Sequence, residues 1–83
     1  MRITVRTKGL LGRYLPAGSE ENLASLEVAA ESTPLDVMRQ LGFPEDRSYL
    51  VLLNGASVSR AARASTRLSE GDELSVLPPL KGG

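Results

Sequence analysis

The chain has 83 residues, the size of one small domain, and its ten Lys and Arg balance ten Asp and Glu. Zero net charge argues against binding to nucleic acid or to an anionic membrane surface and favours a specific protein partner. Cysteine and histidine are absent, which excludes disulfides, a catalytic thiol, a histidine-based triad and the usual zinc sites, so no metal is expected. The sequence has neither the apolar run of a signal peptide nor a segment of membrane-spanning length, so we expect a cytoplasmic protein.

The first part of the chain predicts two strands joined by a long loop. Residues 2–6 alternate polar and apolar side chains, the pattern of a strand with one buried face. Residues 7–22 contain glycines and a proline that break any periodicity, while their leucines and tyrosine predict a loop pinned to the core. Leu26, Val28 and Ala30 fall on one face of a second strand, which we expect to pair with the first as a hairpin.

A helix is predicted over residues 33–42. Thr33 is the expected N-cap, Pro34 takes the first helical position, and Asp36 completes a variant of the capping box. Gly42 can adopt the left-handed conformation that ends a helix. Apolar side chains recur between these ends at helical spacing: Leu35, Val37, Met38 and Leu41.

The second half predicts three further strands. Residues 49–53 form a continuous apolar run, typical of a strand covered on both faces or of one whose second face meets a partner. Asn54-Gly55 predicts a tight turn into a brief return strand at 56–58. A turn at 70–72 leads into a final strand, in which alternate residues up to Leu77 face opposite ways.

The segment between the return strand and the final strand is polar. Arg60, Arg63 and Arg67 would share a face if this segment were helical. An acidic docking surface is one interpretation, and a solvated face is the one we favour. The acidic pairs of the chain fall in predicted turns without a histidine or a phosphate-binding glycine loop, so neither acid–base catalysis nor ATP binding is expected.

The C-terminal segment 78–83, Pro-Pro-Leu-Lys-Gly-Gly, is the most informative feature, because folding a small domain does not require a diglycine end. Two residues without side chains can thread a narrow channel and present the carboxylate of Gly83 to a partner's active site. Pro78 and Pro79 favour an extended segment leading away from the last strand. We therefore divide the chain into a domain over residues 1–77 and a tail over residues 78–83.

Three segments resemble the MoaD/ThiS family of ubiquitin-like sulfur carriers: 51–55 (Val-Leu-Leu-Asn-Gly), 68–74 (Leu-Ser-Glu-Gly-Asp-Glu-Leu) and 77–83 (Leu-Pro-Pro-Leu-Lys-Gly-Gly). The predicted helix matches as well, so the resemblance covers the chain from about Leu26 onward. It implies an α+β fold of the β-grasp (ubiquitin-like) type, with a mixed sheet of four to five strands and one main helix. The order of the predicted elements is compatible with that fold.

The resemblance also implies a chemistry. An activating enzyme of the MoeB/ThiF type would use ATP to adenylate the carboxylate of Gly83, and a sulfur donor would convert it to a thiocarboxylate. The chain itself would be a carrier rather than an enzyme and would bind no cofactor. Pro79, Leu80, Lys81 and Gly82 would thread into the partner, and Lys81 could pair with an acidic group at the mouth of the partner's pocket.

The ending of the chain resembles MoaD more than ThiS. It therefore favours sulfur transfer in molybdopterin (molybdenum cofactor) synthesis, as the small subunit of molybdopterin synthase beside a MoaE-like large subunit. The alternatives are a carrier acting with thiazole synthase in thiamine synthesis, a ubiquitin-like modifier joined to proteins through Gly83, and a purely structural binding module. Because one small helix cannot cover both faces of a sheet, Leu77 and Leu53 are expected to contact the partner.

Overall fold

The computed structural model describes residues 1–79, which form a mixed five-stranded sheet and one α-helix. No helix in this range is long and apolar enough to cross a bilayer. Two 3₁₀ helices, Gly9–Tyr14 and Ala61–Ala64, lie in the connections. The other elements in chain order are β1 (Arg2–Thr7), β2 (Leu23–Glu27), α1 (Pro34–Leu41), β3 (Leu50–Leu53), β4 (Ala56–Ser57) and β5 (Glu73–Leu77).

The strands lie in the order β2-β1-β5-β3-β4. The predicted hairpin is confirmed, because β1 and β2 pair antiparallel. β1 also pairs with β5 in parallel, and β3 runs antiparallel to both β5 and β4. Parallel strands need a long connection, and β1 is joined to β5 by the segment that carries β2, α1, β3 and β4. The expected β-grasp fold is therefore confirmed.

Helix α1 begins and ends where its capping signals predict. The backbone N–H of Asp36 donates to Thr33 Oγ1 at 3.2 Å, and the Thr33 N–H donates to Asp36 Oδ2 at 3.0 Å. This reciprocal pair is a complete capping box, and Gly42 is the C-cap. The helix buries three side chains: Pro34, Val37 and Met38.

The core lies between α1 and one face of the sheet. The strand register places Val5 beside Leu74 and Val51 beside Val76. All four side chains are at most 1% exposed. Burying a side chain of this size stabilises the fold by about 1.5–3 kcal/mol before entropy is subtracted. These central strands therefore carry much of the stability of the domain.

Aromatic side chains close one end of this core. The ring centroids of Tyr14 and Phe43 are 4.7 Å apart, and those of Phe43 and Tyr49 are 5.5 Å apart. The Tyr49 hydroxyl donates to the carbonyl oxygen of Pro44 at 2.9 Å. The first 3₁₀ helix contributes Tyr14 to this group, which explains how the expected loop at residues 7–22 is pinned to the core.

The second strand differs from the sequence prediction. Its register follows from its pairing with β1, in which Arg6 lies opposite Leu23 and Arg2 lies opposite Glu27. The strand therefore starts at Leu23, earlier than predicted, and ends at Glu27, which lies opposite the first residue of β1. Ala30, which we expected on the buried face of a strand, is exposed in the connection to α1.

Candidate functional site

The face of the sheet that points away from the core carries three leucines from β3 and β5. Leu50 lies opposite Leu77, and Leu52 lies opposite Ser75. Residues directly opposite each other in an antiparallel pair share a face, and the neighbouring pairs Val51–Val76 and Leu53–Leu74 take the core face. We call Leu50, Leu52 and Leu77 the outer leucine patch; each of its side chains is half-buried.

The two predicted sheet contacts, Leu77 and Leu53, lie on opposite faces. Leu53 is paired with the fully buried Leu74 and packs against the core. Leu53 therefore does not belong to the surface that Leu77 forms, and Leu50 and Leu52 take its place there. The sequence could not distinguish these sets, because an unbroken apolar run has no alternation to mark its inner face.

The outer leucine patch lies where the chain leaves the sheet. β5 ends at Leu77, and Pro78 and Pro79 follow as exposed residues. Proline has no backbone N–H, so neither residue can donate a ladder hydrogen bond to a neighbouring strand. The predicted site residues Leu80, Lys81, Gly82 and Gly83 lie outside the described residues.

Two of the segments that carry the family resemblance meet beside this patch. The Asn54 side-chain amide donates to Asp72 Oδ1 at 3.0 Å, and its carbonyl oxygen accepts from the backbone N–H of Glu73 at 2.8 Å. Asn54 and Gly55 both have positive φ, at 49° and 86°, as a two-residue hairpin turn requires. These contacts join the β3–β4 turn to the start of β5 and so fix the register that assembles the patch.

Charged residues on the same face neutralise one another. Arg6 Nη2 lies 3.0 Å from Glu73 Oε2, and the N-terminal ammonium lies 2.9 Å from Glu27 Oε2. A hydrogen bond from this ammonium, followed by its charge, lowers the pKa of the Glu27 carboxyl. Exposed pairs of this kind contribute little to stability. Their effect is to leave an apolar centre beside polar, charge-balanced side chains, the composition of a surface that binds protein.

Within residues 1–79, no group of three or more His, Cys, Asp or Glu side chains could hold a metal ion. The resemblance assigns the chemistry to Gly83, which lies outside the described residues.

Fold and surface together define a ubiquitin-like β-grasp domain with an apolar patch at the base of its C-terminal segment. The family model described as the ThiS family matches residues 16–83. The chain therefore belongs to the ThiS family of ubiquitin-like sulfur carriers. Comparison with curated proteins gives no significant match.

Solved structures show the same fold over almost the whole chain. Small archaeal modifier protein 1 of Haloferax volcanii is 22% identical with a TM-score of 0.70, covering 95% of this chain and 98% of that one. A chain from the complex of subunits 1 and 2 of the Helicobacter pylori molybdopterin-converting factor is 22% identical with a TM-score of 0.64, and both chains are fully covered. The thiamine biosynthesis protein ThiS of Geobacter metallireducens is 20% identical with a TM-score of 0.68, again with full coverage of both. At these identities the likeness establishes the fold and leaves the pathway open.

Proposed function

We propose that this protein carries sulfur as a thiocarboxylate at Gly83 and delivers it in molybdopterin synthesis as a small subunit beside a MoaE-like protein. Membership of the ThiS family supports the carrier role. The Leu-Pro-Pro-Leu-Lys-Gly-Gly ending supports the choice of pathway. We expect the reaction in the cytoplasm, where ATP is available.

The chemistry follows from the properties of a terminal carboxylate. With a pKa of about 3.3–3.7 it is ionised at neutral pH and does not react with nucleophiles. A MoeB/ThiF-like enzyme would join it to the α-phosphate of ATP and release pyrophosphate. Sulfur at the sulfide level, such as hydrosulfide, would then attack the acyl carbon, forming a carbon–sulfur bond as the carbon–oxygen bond breaks and AMP leaves, and the resulting thioacid would lose its proton to solvent. The product is an anionic sulfur nucleophile that can be transferred to an acceptor.

The observation that carries this proposal is the position of the outer leucine patch beside the end of β5. Six residues follow Leu77, and they span at most roughly 20 Å when extended. A partner that receives the carboxylate of Gly83 must therefore hold the body of the domain close to its own active site. The patch offers that partner an apolar contact next to the base of the tail.

The intact mass of the protein tests the carrier chemistry. The full chain is incubated with a MoeB/ThiF-type enzyme, ATP and a sulfur donor, and the chain lacking Gly83 serves as the control. We expect one oxygen to be replaced by sulfur in the full chain and no change in the control. An unmodified full chain with every such enzyme would refute the carrier role.

The acceptor is identified in a second step with the thiocarboxylated protein. Conversion of a molybdopterin precursor with a MoaE-like subunit would support the pathway that we propose. Sulfur transfer only with thiazole synthase would assign the protein to thiamine synthesis instead. Conjugates joined through Gly83 to lysines of other proteins, in the absence of either transfer, would indicate a modifier.

A further inference from the structure

A small pocket lies on the helix side of the domain, away from the outer leucine patch. Its volume is about 170 Å³. Sites for whole small molecules usually measure about 300–1,000 Å³, so this pocket has room for one or two side chains rather than for a cofactor. Its apolar lining comprises the half-buried Leu35 with the buried Met38 and Phe43. Three arginines line it as well: Arg47, Arg60 and Arg63.

Arg63 is held in this pocket with an incomplete set of hydrogen bonds. Its Nη2 donates to the carbonyl oxygen of Tyr49 at 2.8 Å, while its Nε is buried without a hydrogen-bond partner among residues 1–79. A buried donor that lacks an acceptor is destabilising, because it has lost its hydrogen bonds to water without replacement. Burial lowers the pKa of the Arg63 guanidinium, and the charge of Arg60 lowers it further. An anion beside the two guanidinium groups would offset their mutual repulsion.

Positive charge in the pocket is not balanced by the carboxylate beside it. Glu45 lines the pocket, but its two oxygens accept from Arg39 at 3.0 and 3.2 Å. Arg60 reaches only the backbone carbonyl oxygen of Glu45, at 3.2 Å. Within residues 1–79, neither Arg60 nor Arg63 forms an ion pair.

The third arginine of this polar segment is used elsewhere. The segment is a single short 3₁₀ helix, and Arg67 lies beyond its end. Arg67 Nη1 lies 2.8 Å from Glu31 Oε1, in an exposed ion pair. The face shared by three arginines, which the sequence suggested, is therefore not formed. Arg60 and Arg63 of this segment line the pocket, and Arg67 provides a matched control outside it.

We propose that this pocket binds a short segment of a partner protein in which an acidic residue stands next to a large apolar residue. The carboxylate would accept charge-assisted hydrogen bonds from Arg60 and Arg63. The apolar side chain would pack against Leu35, the half-buried member of the apolar lining. An inorganic anion would satisfy the arginines but leave Leu35 partly exposed, which is why the two features together favour a peptide.

This proposed binding site is separate from the outer leucine patch and from the end of β5. The pocket is lined by α1 and by the segments on either side of β3, whereas the patch lies on the opposite face of the sheet. A partner bound at the pocket would leave the patch and the end of β5 accessible. Failure of this proposal would therefore say nothing about sulfur transfer at Gly83, and the converse also holds.

The full-length protein labelled with nitrogen-15 provides the test, because the Nε–H signal of Arg63 reports directly on the atom that lacks an acceptor. The probe is a blocked peptide with Glu-Leu-Phe-Asp at its centre, and it is titrated at low salt. We expect a saturable shift of the Arg63 Nε–H signal and of backbone signals around Met38 and Phe43. Absence of a saturable shift at these positions would overturn the proposal.

Matched control peptides test the acidic contacts and the apolar contacts separately. Replacing both acidic residues by Asn and Gln should weaken binding about tenfold or more, because charged hydrogen bonds to the arginines are lost. Replacing Leu-Phe by Gly-Ser should weaken it by a similar factor, since Leu35 is left partly exposed. Equal affinity for the Asn/Gln peptide would overturn the proposal. Sodium sulfate that binds Arg60 and Arg63 as tightly as the probe would overturn it too and would indicate a simple anion site.

Variants assign the binding to these arginines. R60Q and R63Q should each weaken probe binding about tenfold or more, and R67Q should leave it unchanged. Arg63 also donates to the backbone carbonyl oxygen of Tyr49, so a melting curve must show that R63Q folds. Arg60 is exposed, so R60Q tests the role of the arginines in binding with less risk to the fold. Equal binding by wild type and R60Q would contradict the proposal.

Discussion

Replacing Leu74 or Leu77 of β5 with Ala should change the stability of the protein by very different amounts, because the two leucines lie on opposite faces of the sheet. Leu74 is 0% exposed and lies between Val5 of β1 and Leu53 of β3. Replacing it with Ala removes three carbon atoms, a loss of about 2.4 kcal/mol at roughly 0.8 kcal/mol per methylene. The cavity left between three rigid strands raises the expected cost to about 3–4 kcal/mol.

This cost is large for such a small domain. Domains have a free energy of unfolding of about 0.05–0.15 kcal/mol per residue, which gives about 4–12 kcal/mol for this chain. At about 4–8 °C per kcal/mol, L74A should lower the melting temperature by roughly 12–30 °C. L77A should cost about 1 kcal/mol or less, because the half-buried Leu77 leaves no closed cavity when truncated.

Urea unfolding followed by circular dichroism measures both variants under the same conditions. The m-value should stay constant, so that the shift in midpoint reports stability alone. Equal losses for L74A and L77A would refute the assignment of the two faces. A larger loss for L77A would show that the outer face, rather than the helix side, is buried in the isolated protein.

Three further predictions concern local features of the fold. T33A removes the side-chain half of the capping box and should cost about 1 kcal/mol, seen as a fall of about 4–8 °C in melting temperature; an unchanged value would contradict the capping role. G12A should destabilise the protein in urea, because a Cβ at Gly12 would collide with the carbonyl oxygen of Glu21; a neutral effect would contradict this close approach. Hydrogen bonding and charge from Arg39 lower the pKa of Glu45 from its ordinary value of 4.5. The stability that wild type gains over E45Q should therefore be present above about pH 5 and vanish as the pH falls through the folded pKa, as measured by melting curves at a series of pH values; a difference that grows in acid would contradict it.

Features set by neighbouring residues were predictable from the sequence. The helix boundaries depend on Thr33, Asp36 and Gly42, which act within one turn of the helix. The turn at Asn54-Gly55 and the alternation of β5 are also local, and both are confirmed. In each case the decisive contact joins residues that are close in the chain, so the pattern is visible before folding.

Features set by tertiary contacts were not predictable in the same way. The inner face of β3 depends on the pairing of Val51 with Val76, because the run at residues 49–53 is apolar throughout. The separation of Arg67 from Arg60 and Arg63 depends partly on Glu31, which is 36 residues distant from Arg67. A sheet face left uncovered by the single helix could be anticipated from the sequence, but the members of the outer leucine patch required the strand register.

The two surfaces of this domain differ in how they can recognise a partner. The outer leucine patch is apolar and surrounded by paired charges, so it gains free energy mainly by excluding water and offers little directional discrimination. The pocket holds one donor without an acceptor and three guanidinium groups, those of Arg47, Arg60 and Arg63, that form no ion pair within residues 1–79, so it would favour an acidic group. A carrier must be released after each transfer, which favours modest affinity at the surface beside its tail. Under our proposal, selectivity between partners that share this apolar contact would be supplied from the helix side, where an acidic residue of the partner would determine which protein binds.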